Sequence, residues 1–121
     1  MNSKWGLYPW FIAHGADLIY PADLEAFIQE DPYCKVFECI EESDYITLRY
    51  NNNCFRVKDK LFEIVPAPKY SFGEIVKIKE SGEEAIIRDI IWHYKRHEPY
   101  YYLISIKGKK KSKRYFESDF E

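Results

Sequence analysis

Apolar and polar residues alternate with a period of two along most of the chain, in short runs separated by polar turns. In the second half, Glu74–Lys79 places Val76 and Ile78 on one side of an extended segment. An isoleucine-rich run, Ala85–Tyr94, follows, then Tyr100–Lys107 and Ser112–Phe116. The turns between them are Glu80–Glu84, Lys95–Pro99, and a tight one at Gly108 with Lys109 and Lys110. Glu117–Glu121 reads as a last short turn or 3₁₀ segment. The first half has the same rhythm: Lys35–Ile40, Tyr45–Tyr50, Cys54–Lys58 and Lys60–Val65 as strands, with turns at Glu41–Asp44 and Asn51–Asn53. Before them, Pro21–Glu30 is predicted as a helix. Pro21 suits a first turn, and Leu24, Phe27 and Ile28 share one face.

The prolines of Val65-Pro66-Ala67-Pro68 disfavour both helix and sheet ladder, so a boundary is expected there. The expected domains are residues 1–66, with the helix near 21–30, and residues 67–121. Strand and turn alternate similarly in both, which suggests a degenerate internal duplication. A single mixed sheet with one helix is the alternative. The apolar run Trp5–Ile12 is expected to lie as a strap across both halves, or else to form an exposed adhesive patch.

Composition narrows the class. The chain is 46% hydrophobic and 31% charged, too apolar for disorder, and 18% aromatic, which suits β structure. Net charge is −2, but residues 1–66 hold 6 Lys/Arg and 11 Asp/Glu, whereas residues 67–121 hold 12 and 9. The three cysteines, Cys34, Cys39 and Cys54, lack a paired spacing, so buried free thiols in a reducing cytoplasm are expected. No stretch has the apolar length of a membrane span, and the amino-terminal run lacks a cleavage site, so no membrane association is expected.

Phe72-Gly73-Glu74-Ile75-Val76, Ile86–Ile91, Trp92-His93 and Tyr100–Leu103 together resemble the SH3-like barrels of the tudor and KOW kind. The resemblance is strongest over residues 70–121 and looser over 35–65. It implies a mainly β fold of two tandem small SH3-like barrels, the first carrying one short helix, and by analogy a binding role. The ends of the chain also resemble a family of small bacterial proteins of uncharacterised activity. The matches are Trp5, Gly6, Leu7, Pro9 and Trp10, then Lys109, Lys110, Ser112, Lys113, Arg114 and Tyr115.

The sharpest local feature is Lys107–Arg114, six cations in eight residues, flanked by tyrosines. Lys109, Lys110, Lys111, Lys113 and Arg114, with Tyr100, Tyr102 and Tyr115 as stacking platforms, have the ingredients of a single-stranded nucleic-acid groove. The same lysines equally suit an edge guard or a docking surface for an acidic protein. Trp92 and His93 are expected at a barrel rim, with His93 hydrogen-bonded to the backbone. His93 and His97 have a helical metal spacing but fall on a strand and turn, so no metal is expected. There is no nucleophile elbow and no phosphate loop, and the carboxylates cluster in turns. The expected function is therefore non-enzymatic and free of cofactors. It is protein–protein binding, as an adaptor or immunity-type inhibitor in a bacterial cytoplasm, or alternatively nucleic-acid binding through residues 107–115.

Overall fold

A computed structural model describes residues 4–121. The chain divides into two compact units, the first ending at Ala67 and the second starting at Pro68. The division falls between the two prolines that marked the boundary.

The first unit contains β1 (Lys4–Leu7), α1 (Leu24–Glu30), β2 (Val36–Glu42), β3 (Ile46–Tyr50), β4 (Asn53–Val57) and β5 (Glu63–Val65). Its strands form one antiparallel sheet in the order β4-β3-β2-β1-β5. The run Trp5–Ile12 begins inside this sheet. Lys4–Leu7 is an internal strand, and Trp5, Leu7, Tyr8 and Trp10 are buried, leaving Phe11 and Ile12 exposed. The polar ends of the buried rings are satisfied. The Tyr8 hydroxyl donates to the Lys58 carbonyl at 2.6 Å, and Trp10 Nε1 donates to the Gly15 carbonyl at 3.0 Å. Burial, together with the nearby Asp59 carboxylate, holds the Tyr8 phenol protonated far above its ordinary range.

The helix is shorter than predicted because Pro21–Asp23 takes a 3₁₀ turn. It ends where Asp31 adopts a left-handed φ of 54°. Two turns present one residue fully to the sheet. Phe27 is completely buried against Tyr8, Trp10, Phe37 and Phe55, with ring centroids 5.1–6.0 Å away, whereas Ile28 is exposed. Asp23 ties the helix entrance to β4. Its carboxylate accepts from the Arg56 backbone N–H at 2.9 Å and from Arg56 Nε at 2.8 Å. The side-chain hydrogen bond from Arg56 holds the Asp23 carboxyl below its usual range. The predicted strand Lys60–Val65 is a 3₁₀ turn, Asp59–Leu61, followed by the short β5.

The second unit contains β6 (Ile75–Lys77), β7 (Glu84–His93), β8 (Glu98–Ser105) and β9 (Lys110–Phe116) in an antiparallel sheet of order β6-β7-β8-β9. A 3₁₀ turn, Glu117–Asp119, then brings Phe120 to a single bridge with Ile78. The Lys79 N–H donates to the Asp119 carbonyl at 2.9 Å, and the Glu121 N–H to the Lys77 carbonyl at 2.9 Å. One bridge is not a ladder, so the sheet stays open. The fold is two antiparallel sheets with one short helix, not the expected pair of closed barrels. Tyr101 anchors the second core: fully buried, it donates its hydroxyl to Glu117 Oε2 at 2.8 Å. Burial, then that hydrogen bond and charge, push its ionisation far above the ordinary range. Among the described residues no helix is long and apolar enough to cross a membrane.

Gly6 stands where β1 passes between its neighbours. A Cβ there would lie 2.5 Å from the Glu63 carbonyl oxygen and 2.6 Å from the Phe62 ring. Backbone cannot yield as a flexible side chain does. Gly6→Ala is expected to destabilise the chain by about 1–3 kcal/mol in urea unfolding. A change within error would mean that β5 is not held against β1.

Candidate functional site

The pleat of the second sheet sorts its side chains into two surfaces. Directly paired residues share a face. Val76 pairs with Ala85, Ile87 with Leu103, Ile90 with Tyr101, Tyr101 with Tyr115, and Trp92 with Pro99. All of the apolar side chains in these pairs are buried. On the other face, Ile75 pairs with Ile86, Ile86 with Ile104, and Ile104 with Lys110. Next to that row, Asp89 pairs with Tyr102 and Tyr102 with Arg114. Beyond it, Ile91 pairs with Tyr100 and Tyr100 with Phe116, and His93 faces Glu98. These residues are half-buried or exposed, Ile75 at 60%. An antiparallel sheet with one solvated face ordinarily carries polar residues there. This face instead carries isoleucine, tyrosine, phenylalanine and arginine.

The rings and cations of this face are organised. Tyr100 lies 5.7 Å from Tyr102, 6.0 Å from Phe116 and 6.0 Å from His93. The Arg96 guanidinium sits 3.7 Å above the Phe116 ring, and that of Arg114 lies 5.3 Å from Tyr100 and 5.9 Å from Phe116. Two arginines also meet carboxylates, Arg96 with Glu98 at 3.2 Å and Arg88 with Asp89 at 3.1 Å. His93 Nδ1 accepts from the Arg96 backbone N–H at 3.1 Å, which fixes the β7–β8 turn.

Lys111 and Lys113 of β9 look elsewhere. Lys113 lies over the buried Tyr115 ring at 5.3 Å, on the side of β9 away from Arg114. Lys111 pairs with Glu83 at 2.8 Å and Lys113 with Glu80 at 3.4 Å. The hydrogen bond to Glu83 raises the Lys111 pKa above its ordinary value. Both carboxylates come from the β6–β7 turn. That turn and the β8–β9 hairpin enclose a cleft of 690 Å³ that also exposes Lys107, Lys109 and Lys110. Among the described residues these three have no carboxylate within ion-pair distance.

The predicted site residues therefore split three ways. Tyr100, Tyr102, Arg114 and His93 come together on the outer face, and Lys110 joins them opposite Ile104. Lys109, Lys111 and Lys113 line the cleft. Trp92 and Tyr115, proposed from sequence as contact residues, are core residues, because the register turns both toward the buried face. The sequence reading missed Ile75, Ile86, Ile91, Ile104, Arg96 and Phe116. The signal was the isoleucine run of β7, where apolar side chains fill both faces of a strand. Of the cysteines, only Cys39 is buried; Cys54 is exposed. Burial first, and then neighbouring carboxylates, push the Cys34 and Cys39 thiols up, away from the reactive thiolate.

Residues 1–121 match the profile of a protein family described as a family of unknown function, DUF6960, and the chain belongs to that family. Comparisons with curated proteins and with solved structures give no match.

The two faces of β9 predict opposite costs for neighbouring residues. Tyr115→Ala is expected to cost about 3–5 kcal/mol of unfolding free energy, and Arg114→Ala under about 1 kcal/mol. Equal costs in denaturant titrations would contradict the assigned register.

Proposed function

We propose that the chain is a non-catalytic module that binds another protein, as an adaptor or immunity-type inhibitor in a bacterial cytoplasm. The observation that carries this reading is the outer face of the second sheet. Its centre holds Tyr100, Tyr102 and Phe116 with arginines laid on the rings, flanked by isoleucines. Tyrosine, arginine and packed apolar groups are the residues that dominate binding energy at protein interfaces. A rigid sheet presents them with little ordering cost.

Titratable groups argue for binding over catalysis. The most displaced, Tyr8 and Tyr101, are hydrogen-bond donors inside the two cores. We further read each unit as SH3-like. In its support, β1 pairs with both β2 and β5, the latter after a 3₁₀ turn, and the segment containing β6 pairs with β7 and, after a 3₁₀ turn, with Phe120. Nucleic-acid binding is the weaker reading. A single-strand groove needs charge and stacking rings on one surface. Here the cations beside the rings are arginines, of which Arg88 and Arg96 are already paired with carboxylates, while Lys111 and Lys113 lie on the other side of β9.

A photoreactive phenylalanine at Tyr102, in cells expressing the chain, is expected to give one discrete cross-linked protein adduct. The adduct should vanish in Arg114→Glu. The same adducts from a probe at exposed Glu25, or none from Tyr102, would contradict the reading.

A further inference from the structure

We propose that the open edge of β9 takes an extended, acidic segment of a partner protein, added as a further strand along the lysine side of the hairpin. The inference rests on the reading of the chain as a protein-binding module and names the partner's chemistry at a second surface.

Three observations support it. First, β9 is the terminal strand of its sheet, pairing with β8 on one side. The return of the chain bypasses it, since Phe120 bridges to Ile78. Strand edges of this kind are templates for an added strand. Second, the space beside this edge is concave. A recess of 290 Å³, lined by Ile78, Glu80, Lys113 and Tyr115 among others, adjoins the 690 Å³ cleft, with which it shares Lys113 and Tyr115. Third, the edge already holds carboxylates. Glu83 on Lys111 and Glu80 on Lys113 stand where the side chains of an acidic strand would stand.

These internal pairs are displaceable. The Lys113–Glu80 pair spans 3.4 Å with side chains 62% and 82% exposed, so solvent screens it strongly. Lysines on an edge strand commonly repel an unwanted strand. An acidic strand is the exception such a guard admits. Lys111 and Lys113 are two residues apart, about 6.8 Å along a strand, which matches carboxylates at alternate positions of a paired segment. Charge favours the same occupant: beyond the two paired lysines, Lys107, Lys109 and Lys110 line the cleft against one further carboxylate, Glu84. No stacking ring is exposed on this side, since Tyr115 is 8% exposed, so a nucleic acid would gain only phosphate contacts.

The test is fluorescence anisotropy on the full chain with a labelled peptide, Thr-Glu-Val-Glu-Val-Glu-Thr. Controls are an isomer with contiguous glutamates, an alternately N-methylated version, and an oligonucleotide of equal charge. The alternating peptide is expected to bind about tenfold more tightly than each control. The double variant Lys111→Gln/Lys113→Gln should weaken it about tenfold, with the native fold checked by circular dichroism. Glu80→Gln/Glu83→Gln should strengthen it by removing the internal competitors. Glu25→Gln, at an exposed position of α1 in the first unit, should leave it unchanged. Absence of saturable binding, or equal binding of the N-methylated peptide or the oligonucleotide, would overturn the inference. If the adduct at Tyr102 persists in that case, the protein-binding reading stands and only the acidic-strand partner falls. If the peptide binds and the adduct is absent, the outer face is the part in error.

Discussion

A strand has two faces, and in β9 they carry incompatible chemistries. On one, Arg114 and Phe116 continue a surface of rings and guanidinium groups begun by Tyr100 and Tyr102. On the other, Tyr115 seals the core while Lys111 and Lys113 reach the β6–β7 turn. The pleat makes this division unavoidable once Tyr115 is buried, because its neighbours must point away. The rings are thus accompanied by arginines, and the lysines Lys111 and Lys113 lie on the opposite side of the strand.

The open sheet adds a second consequence. A return strand that formed a ladder with β9 would have consumed its edge. Here the 3₁₀ turn carries Phe120 to Ile78, and the edge is left to lysines and the glutamates that face them. Stability is supplied elsewhere, by aromatic centres: Phe27 in the first unit, and Tyr101 with Tyr70 and Phe120 in the second. Units this small bury limited area, and large rings supply it without lengthening the chain.

The strands were legible because alternation is a local property. Each predicted strand of the second half overlaps an observed one, and the division into two compact units falls within the proline segment. The failures were non-local. Which of three consecutive tyrosines faces the core depends on the register, which shifts between Ile87 and Asp89 and again between Tyr102 and Ile104. Alternation sets Tyr101 opposite to Tyr100 and Tyr102, the two taken from sequence as platforms, but it does not reveal that Tyr115 rather than Arg114 or Phe116 is the core side of β9. The isoleucine-rich run of β7 gave no side to its residues, and Ile86 and Ile91 lie on the outer face beside the rings. That the second sheet stays open depends on a single bridge, Ile78 with Phe120, between residues distant in sequence. The Lys111–Glu83 and Lys113–Glu80 pairs likewise join segments about thirty residues apart, so a lysine run gives no sign that its charge is partly balanced.

The outer face can serve as a contact surface only if its apolar side chains meet solvent in the free protein. Isoleucine δ1-methyl NMR with a soluble paramagnetic agent measures this directly. Strong relaxation enhancement is predicted for Ile75, Ile86, Ile91 and Ile104, with Ile87 and Ile90 protected. Equal protection of all six methyl groups would contradict the claim that this face is open for binding.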